Sequence, residues 1–213
     1  MKIVCISDTH GQEYNIQKHF QLPPGDILLH AGDFQSYGKM EEAVRFNKWL
    51  GTLPYKYKIV IAGNHDRVPW NIGSKNTKDL FTNAIYLQDE EIVIEGVRIY
   101  GSPWTPKFLD WFFMAKRGSV KLKEKWDKIP PNLDILLTHG PPMYKLDWSS
   151  SEQQYIGCEN LRNKVEEIKP KYHIFGHIHS GYGYTRNEYT SFINASTCTE
   201  QYEPTNKSIC FEL

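Results

Sequence analysis

Cysteine, net charge and long apolar runs are all scarce in this chain. The four cysteines, Cys5, Cys158, Cys198 and Cys210, are scattered without a CxxC pair. That spacing excludes a disulfide framework and points to a reduced, cytoplasmic protein. Lys+Arg and Asp+Glu are both 25, so the basic excess that phosphate backbones demand is missing, which argues against nucleic acid as the main partner. No apolar run approaches the ~20 residues of a membrane span, and Ile3–Ile6 is far too short for a signal peptide, so no membrane partner is expected. Repeats, linkers and low-complexity tracts are absent too. The expectation is one domain over residues 1–213, long enough for a sizeable core.

What the chain does have is a repeated local grammar: a short apolar strand, then a polar cluster. Lys58-Ile59-Val60-Ile61-Ala62 runs into Gly63-Asn64-His65-Asp66. The β-branched run reads as a buried strand, and the glycine permits a sharp turn after it. Lys2-Ile3-Val4-Cys5-Ile6 delivers Asp8 and His10, which share one side of an extended chain. Asp26-Ile27-Leu28-Leu29-His30 delivers Gly32-Asp33. Asp134-Ile135-Leu136-Leu137-Thr138 delivers His139, and Lys171–Phe175 delivers Gly176-His177-Ile178-His179.

The intervals from Asp8 to Asp33 and from Asp33 to Asn64 each fit one strand–helix–strand unit of ~30 residues. The first three clusters should therefore share the C-terminal edge of neighbouring parallel strands, where open α/β sheets place ligands. Helices are expected over Glu13–Phe20, over Met40–Leu50 (stopped by Gly51 and Pro54), over an exposed, charge-alternating Ser119–Lys128, and over Cys158–Ile168. A strand is expected at Ile85–Leu87, and a hairpin turning at Glu95-Gly96. Tyr182–Arg186, Tyr189–Asn194 and Ser208–Leu213 read as antiparallel strands closing a second sheet.

Asp8, His10, Asp33, Asn64, His65, His139, His177 and His179 supply carboxylates, imidazoles and one amide oxygen. Such donors suit borderline transition metals: Mn, Fe, Zn or Ni. They are too many for one tetrahedral zinc, so two ions are the natural count, with Asp33 as the candidate bridge. A pair of ions clamps a phosphoryl group and lowers the pKa of a bound water, as phosphate-ester hydrolysis requires.

Asp8-x-His10, Gly32-Asp33, Gly63-Asn64-His65-Asp66, His139 and Gly176-His177-x-His179 together resemble the calcineurin-like metallophosphoesterases. Leu29-His30-Ala31-Gly32-Asp33, Gly101-Ser102-Pro103-Trp104, Leu137-Thr138-His139-Gly140-Pro141-Pro142, Gly181-Tyr182-Gly183 and Ile193-Asn194-Ala195-Ser196 resemble its MPPED (metallophosphoesterase-domain-containing) subgroup more closely. The resemblance implies an α/β fold: a two-sheet β-sandwich flanked by helices, in four layers αββα. It implies one ion on Asp8, His10, Asp33 and His179, and a second on Asp33, Asn64, His139 and His177. His65 is then no ligand but the general acid that protonates the leaving oxygen after a metal-bound hydroxide attacks phosphorus. Manganese is the favoured metal. The resemblance favours small phosphodiesters, cyclic nucleotides among them; a phosphomonoesterase, a nuclease and a non-enzymatic scaffold are the rivals. Protein phosphatases of the superfamily carry an Asp-Arg-Gly after the Gly-Asp block. Here Phe34-Gln35-Ser36-Tyr37-Gly38 stands instead, which argues against phosphoprotein substrates.

Other residues read more plainly. Asp66 should brace its loop or a neighbouring histidine, and His30 should be structural. Phe108, Trp111 and Phe112 have helical core spacing, so burial is preferred to a lid that stacks on a nucleobase. Tyr144 and Asp147 stand as candidates to reach substrate. Lys121, Lys123, Lys125 and Lys128 read as a solvated helix face.

Overall fold

The apolar runs form strands whose alternate side chains serve two cores. The computed structural model describes residues 1–213. Along the chain, β1 (Lys2–Ile6), α1 (Glu13–His19), β2 (Ile27–His30), α2 (Met40–Thr52), β3 (Tyr57–Val60), α3 (Arg67–Leu80) and β4 (Ile85–Tyr86) form the first half. β5 (Glu90–Ile94) and β6 (Val97–Ser102) follow as a hairpin, then the short pair β7 (Thr105–Pro106) and β8 (Met114–Ala115). α4 (Val120–Asp127), β9 (Ile135–Thr138), β10 (Trp148–Ser149), β11 (Gln154–Tyr155), α5 (Glu159–Ile168), β12 (Tyr172–Phe175), β13 (Gly183–Arg186), β14 (Ser191–Asn194) and β15 (Ile209–Glu212) complete it.

Two sheets form the sandwich, one ordered β15-β1-β2-β3-β4 and the other β13-β14-β12-β9-β6-β5. β1 to β4 run parallel in the first, and β6, β9, β12 and β14 run parallel in the second. Ile3, Cys5, Leu29 and Ile59 of the first sheet share a buried cluster with Ile99, Ile135, Leu137 and Ile174 of the second. Their neighbours Val4, Ile6, Leu28 and Val60 point the other way and share a cluster with Phe46, Trp49 and Leu50 of α2. On the second sheet, Leu136 and Phe175 belong to the same outer cluster as Trp126 of α4 and Leu161 and Val165 of α5. Each such side chain contributes roughly 1.5–3 kcal/mol on burial. The two sheets also join directly, where Ser7 bridges Ser196 just beyond β1 and β14. All four cysteines are free, and no helix is long and apolar enough to cross a membrane.

Several expectations need correction. α2 continues through Gly51 to Thr52. α3 had no sequence signal: only Val68, Pro69 and Thr77 are buried on it, and Gly73 (φ 77°) kinks it. Pro69 is tolerated because first-turn amides have no intrahelical acceptor. β15 closes the first sheet, pairing antiparallel with β1 and covering an edge that would otherwise be bare. β14 is antiparallel to β13 but parallel to β12. The Phe108–Phe113 segment is not helical, since Leu109 (φ 56°) and Phe113 (φ 49°) lie in the left-handed region. Phe113 is buried with Trp104, whereas Phe108 and Trp111 are 53% and 40% exposed. α4 is not simply solvated: Lys121 and Lys125 lie over the Trp104 ring at 4.9 and 4.3 Å.

Candidate metal centre

Four residues beyond the strand ends adopt a conformation that side chains resist. Asp8 (φ 50°), His10 (φ 43°), Asp33 (φ 55°) and His177 (φ 68°) are all left-handed, at a cost of about 1–2 kcal/mol each. Hydrogen bonds between loops hold them there. The Asp8 amide donates to Gly32 O (2.9 Å) and the His10 amide to Asp33 O (3.0 Å). The His177 amide donates to both Asp8 carboxylate oxygens, at 3.1 and 3.0 Å, and Ser7 and Ser196 hydroxyls donate to Oδ2. Backbone also approaches very closely. A Cβ on Gly63 would lie 2.3 Å from Asp33 Oδ1, and one on Gly176 would lie 2.0 Å from Asp8 Oδ2.

This crowding brings all eight residues singled out in the sequence into one place. Asp8, His10 and His179 form one group whose donor atoms lie within 4.8 Å of one another; Asp33, His139 and His177 form a second. Asp33 Oδ2 stands between them, 3.9 Å from His10 Nε2 and 3.3 Å from His139 Nε2. The Asn64 amide oxygen is 2.9 Å from His139 Nε2. His65 also converges with His10 and Asp33, and its amide donates to Asp33 Oδ1 at 2.8 Å.

The protonation pattern shows what this arrangement fits. His139 Nδ1 faces the Ala31 carbonyl and His179 Nδ1 the Thr199 carbonyl, each at 2.9 Å. A carbonyl only accepts, so both imidazoles carry a proton on Nδ1 and, when neutral, a lone pair on Nε2. His179 Nε2 then lies 3.4 Å from Asp8 Oδ1 and 3.3 Å from His10 Nε2. A lone pair on His179 Nε2 aimed at the Asp8 carboxylate is reconciled by a positive charge between them, a proton or a metal ion. Accordingly, against the effect of burial, Asp8 raises the His179 imidazole above its ordinary value. Burial favours neutral His10 and His177, pushing them down to about 4 and about 3 despite the nearby carboxylates. Burial acts the same way on His139, but Asp33 outweighs it and lifts that imidazole to about 9. Asp33 itself is held well below the usual carboxylate range: burial pushes it up, and His139, His65 and His10 overcome that. The pocket thus attracts positive charge, and the donor set suits transition-metal ions.

Asp66 braces the loops as expected: it accepts from the Gly63, Asp33 and Gln35 amides at 2.7, 2.8 and 2.9 Å. His30 is structural, linking the Gly32 amide (3.3 Å) to Thr9 (3.0 Å).

A cavity of about 730 Å³ opens over the centre, with Phe108, Trp111, Arg117, Tyr155 and Tyr202 in its walls. Tyr144 and Asp147 do not line it; Tyr144 faces Arg162 (5.5 Å), and Asp147 accepts from the Gly157 amide (2.9 Å). No motif or spacing pointed to Tyr202, whose ring lies 4.9 Å from that of His10, or to Trp111 as a partner of His65, their rings stacked at 4.2 Å. Tyr202 lies in a loop without periodicity, and the helical spacing around Trp111 pointed to burial rather than to this contact.

Two sheets, their loops and this donor-lined pocket define a metallophosphoesterase: the chain belongs to the calcineurin-like phosphoesterase family, which it matches over residues 1–181. It is 45% identical to human and mouse metallophosphoesterase domain-containing protein 1, covering all of this chain and 71% of theirs. A UPF0046 protein of Caenorhabditis elegans is 42% identical, over all of this chain and 60% of its own length. Solved structures share the fold at low identity. The protein TT1561 of Thermus thermophilus aligns with a TM-score of 0.61 at 15% identity, covering 91% of this chain and 88% of its own. The phosphopantetheinyl hydrolase of Mycobacterium tuberculosis aligns at 0.61 and 14%, covering 98% and 95%.

Proposed function

We propose that this chain is a dinuclear metal-dependent phosphodiesterase, with cyclic nucleotides among its substrates, working in the cytoplasm as one domain. The observation that carries the reading is Asp33 Oδ2, which stands between two clusters of imidazole and carboxylate donors. Asp8, His10, Asp33 and His179 would hold one ion; Asp33, Asn64, His139 and His177 would hold the other, with manganese preferred. When bound, such ions supply positive charge against the phosphoryl oxygens and acidify a water.

The chain's own residues do the rest. Asp8 and Asp33, fixed from behind by backbone amides and hydroxyls, keep the donor geometry rigid before substrate arrives. His65 reaches the same pocket and gives its proton to the leaving oxygen as the bond to phosphorus breaks. A cavity of this size suits a small ester, and its aromatic walls suit the organic part of a substrate.

The test is a rate survey on chelator-treated protein supplied with Mn, Fe, Zn, Ni or Mg. Aryl diesters should outpace aryl monoesters, with Mn giving the highest rate. Faster monoester hydrolysis makes the enzyme a phosphomonoesterase instead, and salt-sensitive cutting of single strands makes it a nuclease.

A further inference from the structure

The imidazoles at this centre are not held alike. His139 and His179 are each fixed by a 2.9 Å bond from Nδ1 to a backbone carbonyl. His65 has only Ser36 O at 3.4 Å, beyond the usual 2.7–3.2 Å for N–H···O. A contact that long does not set the plane of a ring. What meets the ring instead is Trp111, whose indole stacks on it with centroids 4.2 Å apart and planes 29° from parallel. His10 closes another side, edge-on at 4.7 Å.

Trp111 is built to stay there. Its neighbour Phe112 donates its amide to Asn64 O at 3.1 Å, tying this loop to the one that carries His65. The next residue, Phe113, is buried against Trp70 and Trp104, and its carbonyl accepts from the Thr105 amide at 3.1 Å. The loop is thus pinned on one side to the core and on the other to the His65 loop. Trp111 itself is 40% exposed, so core burial does not account for an indole placed over an imidazole.

We infer that Trp111 is the positioning residue for His65: its indole face sets the plane of the imidazole and aims it into the pocket shared with Asp33 and His10. The inference rests on His65 acting as general acid. An offset stack favours one ring orientation over the others by about 2- to 12-fold. Misplacing a reacting group by about 1 Å can cost ~100-fold in rate.

The test compares His65→Ala, Trp111→Ala, Trp111→Phe and the double variant His65→Ala/Trp111→Ala on Mn-loaded protein, with nitrophenyl and alkyl phosphodiesters. If His65 is the acid, His65→Ala loses far more on the alkyl ester than on the nitrophenyl ester; equal losses overturn that reading and this inference with it. Given that difference, Trp111→Ala should lower kcat on the alkyl ester about 3- to 10-fold, lower it on the nitrophenyl ester no more than about twofold, and leave KM nearly unchanged. Trp111→Phe should restore most of the loss, and the double variant should be no slower than His65→Ala. A fall in kcat/KM that comes through KM and persists in the His65→Ala background overturns the inference and makes Trp111 a substrate-stacking surface. A second readout is independent of turnover. The His65 ring protons, shielded by the indole, should shift in the NMR spectrum of Trp111→Ala loaded with diamagnetic Zn and stay near their original positions in Zn-loaded Trp111→Phe. Unmoved resonances in Trp111→Ala contradict the stack as the device that seats the ring.

Discussion

Asp66 shows how much of this centre depends on residues that need not touch a substrate. One buried carboxylate accepts three amides from two loops. Asp66→Ala leaves those donors unpaired, at ~1–3 kcal/mol each, so denaturant unfolding should show a loss of at least about 3 kcal/mol. A variant of near-native stability would show that water or a relaxed loop takes over. His173 is a different case. It is buried on β12, its Nε2 lies 2.8 Å from Thr138 Oγ1, and burial pushes its pKa down to about 3 from 6.5. The unfolded chain therefore takes up a proton below pH 6.5 that the folded chain refuses until about pH 3. Stability should fall over that window as pH drops, by ~1.4 kcal/mol per unit for this one group. His173→Gln should flatten the slope of unfolding free energy between pH 6 and 4 by about that amount; an unchanged slope would assign the acid sensitivity to other groups.

Loops at the strand ends bring backbone and side chain unusually close, and glycine is what makes this possible. Gly63→Ala sets a methyl against Asp33 Oδ1 and, at 2.6 Å, against His139 Cε1. Overpacking of this kind costs about 1–3 kcal/mol, and here the atoms displaced are the donors themselves. Gly96, at the β5–β6 turn, has φ 88° and nothing within 4 Å of an added Cβ. Gly96→Ala should cost only the left-handed penalty of about 1–2 kcal/mol and keep full turnover, while Gly63→Ala should lose turnover and metal affinity together. Equal activity of the two variants would contradict the crowding account. The same contrast explains what could be read from the sequence. Strands such as Lys2–Ile6 and Ile135–Thr138 announce themselves because nearly every side chain on them is buried, and the polar residues after them fall at one sheet edge by topology. α3 is silent because so little of it faces the core. The Phe108–Phe113 spacing misleads because two left-handed residues interrupt it. β15 could not be placed because a strand's partner is decided by which edge lies open, a property of the assembled sheet.

At the scale of the whole molecule, the two sheets meet where the donors gather: β1 and β14 bridge at Ser7 and Ser196, and both serines hold Asp8. The loops of the first sheet contribute Asp8, His10, Asp33 and Asn64; those of the second contribute His139, His177 and His179. Cations shared between them should therefore staple the sandwich as well as serve chemistry, because an ion that binds only the folded state stabilises it by mass action. At a free ion concentration of 100 times Kd, the gain is ~2.7 kcal/mol, so Tm should rise on adding Mn to chelated protein and fall back on adding chelator. A Tm indifferent to both would separate the metal from the fold.

The claim beneath all of this is that Asp33 serves two ions at once. Anomalous scattering from crystals grown with manganese measures that directly. The account predicts two peaks, one beside Asp8, His10 and His179 and one beside Asn64, His139 and His177, with the Asp33 carboxylate between them. A single peak, or two that leave Asp33 untouched, would contradict it.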